Sequence, residues 1–171
     1  MLELFEKRRS IRKYRDKAIS KEDLVTICKA GLSGPSGRGL YPIQLFVIED
    51  RNTLSKLSKS RIHGSSMIEN AKACILVFGK MDVDTWIEDC SICMANMHLQ
   101  ASSMGICSCW VQGRNRYQSE SMTTEEYIKE FISIPDGYVL EAMLALGYPD
   151  EYTHSKEIDM TKIIFEDGYE I

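Results

Sequence analysis

A chain of 171 residues, 44% of them hydrophobic, is long enough for one domain with a buried core, too short for two large domains and too apolar for a disordered segment. Its net charge of −4 and pI near 5.5 argue against a nucleic-acid partner, because such binders spread Lys and Arg over a face and are basic overall. The opening MLELFEKRR offers four apolar residues before charges intervene, short of a secretory core or a membrane span, so a cytoplasmic protein without a membrane partner is expected.

Taken in chain order, the first feature is a knot of positive charge. Residues 7–17 hold seven Lys or Arg and one acid, Asp16, a local +6 against a chain total of −4, so the rest of the chain carries −10. Arg is suited to phosphate and carboxylate because its planar fork donates two hydrogen bonds at once. If residues 8–12 are extended, Arg8, Ser10 and Arg12 face one side and Arg9, Ile11 and Lys13 the other, so that two guanidinium groups flank a hydroxyl. The competing reading is a solvated charge run, and Lys13, Arg15 and Lys17 are assigned to it.

Ser20 followed by Asp23 reads as a helix cap with an acidic first turn, and Leu24, Ile27, Cys28 and Gly31 then share one face. That helix must stop at LSGPSGRGLYP, residues 32–42, where three glycines and two prolines interrupt regular structure. QLFVIE follows as a strand, NTLSKLSK as a short helix capped by Asn52, and ACILVFG as a buried strand. From Thr85 to Met104, apolar residues at intervals of three and four predict a long central helix closed by Gly105. ICSCWVQ is the next strand, Thr123 to Glu126 a capping box for the helix EEYIKEFI, and AMLALGY a core strand after the Pro135-Asp136-Gly137 turn. The closing TKIIFEDGYEI, residues 161–171, reads as an arm that packs on something else. The class is α+β, in a single domain over 1–171; no repeat or linker divides it.

Six cysteines sit mostly in apolar stretches, and with no secretory segment before them reduced thiols are expected. Cys90-x-x-Cys93 falls in a predicted helix and Cys109 in a predicted strand, so buried hydrophobes are favoured over zinc ligands. His63, His98 and His154 are scattered, without the order that hydrolysis by a triad or a zincin motif needs. GPSGRG lacks the Lys-Ser/Thr of a phosphate-binding loop and opens no helix; it is either a plain connection or backbone brought close to a flat ligand.

RRSIRKY near the N-terminus, a PSG loop ahead of a strand, and GICSCW after a long helix together resemble the nitroreductase family of FMN-dependent oxidoreductases, over nearly the whole chain to Gly147. The resemblance implies a central antiparallel sheet flanked by helices, and a homodimer with exchanged C-terminal arms and FMN at the interface. It implies Arg8 and Ser10 at the phosphate and ribityl chain, Arg9 nearby, and Arg12 at the pyrimidine edge, where a cation stabilises the charge that builds on reduction. Pro35, Ser36 and Gly37 match a loop that lies along the flavin, commonly from the second subunit. The turn from Trp110 to Gly113 matches one whose backbone donates to flavin N5, with Gln112 and Gly113 nearest. Asn70 matches a polar residue near the flavin, and Lys156, with His154, the remnant of a basic pair at the phosphate.

The implied activity is hydride transfer from NADH or NADPH through FMN to a nitroaromatic, quinone or similar small acceptor, with neither a catalytic side chain nor a metal. Gly39, Tyr41 and Ile43 depart from the Asn, Gln and Trp that many members carry around the loop proline, and GLYPIQLFV is more similar to flavin dehydrogenases that oxidise azoline rings. A flavin dehydrogenase or reductive dehalogenase on another ring, and a non-catalytic flavin-binding protein, are the alternatives.

Overall fold

Apolar runs place four strands side by side, and the computed structural model describes residues 2–166 of the chain around them. The strands are β1 (Ile43–Ile48), β2 (Ala73–Lys80), β3 (Cys107–Gln112) and β4 (Tyr138–Gly147), in the order β1-β2-β4-β3 with every pairing antiparallel. The helices are α1 (Leu2–Lys7), α2 (Lys21–Leu32), α3 (Arg51–Leu57), α4 (Trp86–Ser103) and α5 (Thr124–Lys129). The expected α+β architecture of a central antiparallel sheet flanked by helices is therefore the one observed.

β2 and β4 are buried on both faces, as their near-continuous apolar sequence requires. Ile75 and Val77 turn towards α2 and α4, where they pack with Ile27, Met94 and Met97. Leu76 and Phe78 turn the other way, onto Leu54, Leu57 and Ile128. Each such fully buried side chain contributes about 1.5–3 kcal/mol of hydrophobic stabilisation. α2 reaches α4 closely because Gly31 carries no side chain: a Cβ there would stand 2.7 Å from Cys93 Sγ.

The local signals act largely as expected. Ser20 Oγ accepts the Asp23 amide at 3.0 Å, Thr123 and Glu126 close a full capping box, and Gly105 ends α4 with φ of +71°. One cap differs. Asp50, not Asn52, caps α3, because its carboxylate already accepts the Thr53 amide at 2.8 Å and starts the helix earlier. β4 also starts earlier than AMLALGY suggests, at Tyr138. Its ladder with β2 slips in register, Val77 facing Ala142 and Phe78 facing Leu140, which leaves Glu141 as the extra residue of a β-bulge.

The six cysteines are free thiols. Burial pushes Cys93 up to about 12 and raises Cys74 and Cys90 as well, so these are inert packing groups rather than nucleophiles. Among the described residues no cluster of His, Cys, Asp and Glu is arranged to hold a metal, and no helix is long and apolar enough to cross a membrane. The C-terminal arm is described as far as Glu166; its Ile163 and Ile164 are exposed, and residues 167–171 of the expected arm lie outside the described residues.

Candidate functional site

The basic segment leaves α1 and runs onto the open edge of β3. Ser10 bridges Ser108 in parallel, and the Ile11 amide donates to the Ser108 carbonyl at 3.1 Å. The expected alternation is broken at its first residue, because the Arg8 amide still donates to Leu4 O and so keeps Arg8 in the last turn of the helix. Arg8 and Arg9 therefore line one small pocket together, with Ser108, Ser102 and Thr153. Ile11 turns inward and is buried, while Arg12 lies exposed with its Nη1 3.4 Å from Ser10 O. Glu151 accepts the Arg12 and Lys13 amides at 2.5 and 3.2 Å and holds this backbone to the end of β4. Among the described residues, Arg8, Arg9 and Arg12 enter no salt bridge, so three guanidinium groups lie near the β3 edge without an ion-pair partner, although the Glu151 carboxylate sits on the Arg12 backbone. The outer half of the knot is less free than a solvated face: Arg15 faces Asp150, and Lys17 Nζ sits 3.8 Å from the centre of the Tyr148 ring.

Behind this segment lies His98, which sequence reading left aside as one of three scattered histidines. Its Nδ1 is 2.7 Å from Ser108 Oγ, and its ring stacks on Trp110 at 6.3 Å with 7° between the planes. Burial, aided by the nearby Arg8 charge, pushes its pKa down to about 4, so it is neutral around pH 7.

At the other end of β3 the backbone divides into two sets. The Ser108 carbonyl accepts from the open edge, so alternation directs the backbone groups of Trp110 and Gln112 to that edge as well. The Gly113 amide instead donates to Glu141 O at 3.0 Å. Of the two residues expected nearest a ring, Gln112 therefore offers an outward N–H and Gly113 does not. From Ser108 to Gln112 the strand rises roughly 13 Å. The Gln112 side chain is held on both sides: its Oε1 accepts from Trp110 Nε1 at 2.8 Å and its Nε2 donates to Glu141 Oε1 at 3.1 Å.

Pro35, Ser36 and Gly37 stand apart from the arginines. The Gly37 amide and the Ser36 hydroxyl both donate to the buried carboxylate of Asp89 in the first turn of α4, each at 3.0 Å. The arginine pocket adjoins Ser102 in the last turn of the same helix, roughly 20 Å away along its axis. The loop and the arginines thus sit at opposite ends of α4. Asn70 is not brought together with the others either: it closes a short 3-10 turn and lines a separate polar groove with Tyr14, Arg51 and Lys72, at the end of the sheet opposite Gln112. Lys156 runs beside α1, its amide donating to Glu6 O at 3.2 Å, so the tail segment that reaches the arginine pocket is represented there by Thr153.

With this arrangement in hand, the sequence profile of the Nitroreductase family matches residues 5–65 and 63–148. The chain belongs to the nitroreductase family. It is 35% identical, over 92% of its length and 90% of the relative's, to a protein of Archaeoglobus fulgidus that carries the provisional name NADH dehydrogenase/NAD(P)H nitroreductase. A relative of the same name from Methanothermobacter thermautotrophicus is 30% identical, over 92% of this chain and 82% of that protein. Among solved structures, an FMN-dependent nitroreductase of Clostridium difficile superposes with a TM-score of 0.93 at 36% identity, covering 97% of this chain and 99% of that one. The nitroreductase match spans the basic segment, the loop and β3, the three places where the candidate groups lie.

Proposed function

We propose that this nitroreductase-family chain binds FMN along the open edge of β3 and acts as an NAD(P)H-dependent oxidoreductase on a nitroaromatic, quinone or similar small acceptor. The observation that carries the reading is the pairing on one strand of an arginine cluster at Ser10–Ser108, free of ion pairs among the described residues, with an outward Gln112 amide roughly 13 Å further on. The donor set suits a phosphate joined by a polyol chain to a flat ring. Arg8 and Arg9 with Thr153 would hold the phosphate, Ser10 the chain, Arg12 the pyrimidine edge, and the Gln112 N–H the ring nitrogen N5.

When bound, FMN would accept a hydride from the nicotinamide and pass electrons to the acceptor in a ping-pong cycle. The protein's share is position and charge. Arg12 stabilises negative charge at the ring edge, the Gln112 amide orients the ring against β3, and neutral His98 shapes the strand behind the phosphate without adding a competing charge. No side chain of the site needs to act as nucleophile, acid or base.

A homodimer completes the proposal. The Pro35–Gly37 loop, too far from the arginines of its own subunit, would lie along the flavin of the second. The arm beyond Tyr152, with Ile158, Met160, Ile163 and Ile164 exposed, would cross to the partner and cover the apolar groove of about 510 Å³ between α2 and β1. β1 is an edge strand with unpaired backbone groups, a natural template for a further strand. Solution studies test the whole reading. Protein saturated with FMN is expected to bleach under anaerobic NADH or NADPH and to recolour with a nitroaromatic or quinone. Yellow protein that never bleaches would mean a non-catalytic flavin carrier, and failure to bind FMN would end the cofactor assignment.

A further inference from the structure

Glu141 is an anomaly in the core: its side chain is 3% exposed, a carboxylate in the middle of the central strand β4. The bulge in β4 explains how it is accommodated. As the extra residue of the slipped ladder, Glu141 escapes pairing with β2 and is aimed instead at the end of β3. Its backbone carbonyl accepts three donors, the Gly113 amide at 3.0 Å, the Arg114 amide at 2.9 Å and Gln112 Nε2 at 3.0 Å. Its carboxylate accepts Gln112 Nε2 on one oxygen and Arg114 Nε on the other, the latter at 2.7 Å. An ion pair whose carboxylate is buried is a poor source of stability, since desolvating that charge costs about what its attraction to Arg114 returns. Its placement needs another reason.

We infer that Glu141 and Arg114 form a charge-balanced pair that positions the Gln112–Arg114 turn and sets the reduction potential of the flavin beside it. The inference rests on the FMN site proposed above. Glu141 is a positioning residue: it acts through the two side chains it holds. Arg114 is 35% exposed and, with Gly113, lines a cavity of about 410 Å³ that begins one residue beyond Gln112, so its charge lies on that side while Glu141 balances it from behind; Arg116, Glu125 and Glu126 line the same cavity and are held constant in the comparison below. A cation near the ring favours the reduced, more negative state of a flavin, and an anion opposes it. In the native pair the two nearly cancel.

The test is a charge cycle read by the midpoint potential of bound FMN. The wild type is measured first; if it binds no FMN, the proposed function fails and the present inference is not what has been refuted. Given bound FMN, Glu141→Gln retains a hydrogen-bond acceptor for Gln112 but frees the Arg114 charge. The midpoint should rise by about 30 mV or more, a tenfold shift in favour of reduced over oxidised flavin. Arg114→Gln, at a partly exposed position that tolerates truncation, should lower it. The double variant should return towards the wild-type value. A purely structural pair would change the melting temperature of both single variants and leave both potentials unmoved, and that result overturns the inference. If Glu141→Gln does not fold, an unchanged potential in Arg114→Gln alone overturns it equally.

Discussion

Asp89 Oδ1 accepts the Gly37 amide at 3.0 Å, tying the first turn of α4 to the glycine-rich loop that precedes β1. The other oxygen takes the Ser36 hydroxyl, and Thr85 Oγ1 at 3.2 Å completes the set. The loop needs this anchor, because Arg38 and Tyr41 both adopt positive φ, 53° and 47°, which costs a residue with a side chain about 1 kcal/mol or more each. Asp89→Ala removes the acceptor for two loop donors and should cost about 2–4 kcal/mol in urea unfolding. If the proposed dimer forms, it should also weaken FMN binding, whereas Asp89→Asn, which keeps one acceptor oxygen, should lose less on both measures. Equal FMN affinity in Asp89→Ala and wild type would remove the loop from the flavin site.

Arg12 separates affinity from stability. Its side chain is exposed and its backbone amide is held by Glu151, so truncation leaves the segment in place. Arg12→Ala should therefore unfold like the wild type, while the dissociation constant for FMN rises roughly tenfold or more, the worth of one charge-assisted hydrogen bond. Fluorescence quenching of FMN on binding measures it. An unchanged constant would take Arg12 out of the site.

The elements were legible wherever period and punctuation agree. The three- and four-residue spacing of Trp86, Cys90, Met94, Met97 and Ala101 marks α4 to within a residue of each observed end, and Gly105 stops it. β4 was half seen because Glu141 interrupts its continuous apolar run, and a bulge is invisible to a pattern reading. The same blindness hid two buried carboxylates. Asp89 looks like an ordinary acidic partner of a helix N-terminus, and Glu141 looks like a strand end; only tertiary contact shows that one anchors the loop and the other the β3 turn. The density of Arg in the basic segment is visible in the sequence, but its geometry follows from the Arg8 amide closing the last turn of α1 on Leu4 O, which alternation cannot anticipate.

His98 gives the fold a pH dependence with a definite sign. Burial holds its folded pKa at about 4, against an ordinary value of about 6.5 in the unfolded chain. Between these values the unfolded state binds the extra proton, so stability is full above about pH 6.5 and falls as the pH is lowered towards 4. The loss attributable to this ring should reach roughly 2–3 kcal/mol near pH 4. The groups around it are Ser108, Trp110 and the Arg8 guanidinium, none of them an acid that would offset the added charge. Urea midpoints of wild type and His98→Gln compared from pH 7 to pH 4 isolate the effect. The two curves should converge on acidification, and parallel curves would show that His98 titrates normally.

The edge of the sheet offers a test of assembly. Val47 on β1 is 41% exposed, and with Val25 and Leu32 of α2 it forms an apolar rim to the groove proposed for the partner's arm. A lone exposed valine needs no explanation, but a contiguous apolar strip beside an unpaired strand edge invites association. Val47→Glu places a charge on that strip. In the monomer the side chain stays in solvent, so circular dichroism and the fold should survive; in the dimer a carboxylate would be pressed onto a covered apolar strip, a desolvation cost that Lys21 and Lys29 at the groove offset only in part and that is counted at both symmetric sites. Light scattering after gel filtration should therefore show wild-type dimer and variant monomer at micromolar concentration. Because the Pro35–Gly37 loop is proposed to serve the flavin of the other subunit, the monomeric variant should also bind FMN more weakly despite an intact Arg8–Arg12 segment. A variant that remains dimeric and binds FMN normally would place the interface elsewhere on the molecule.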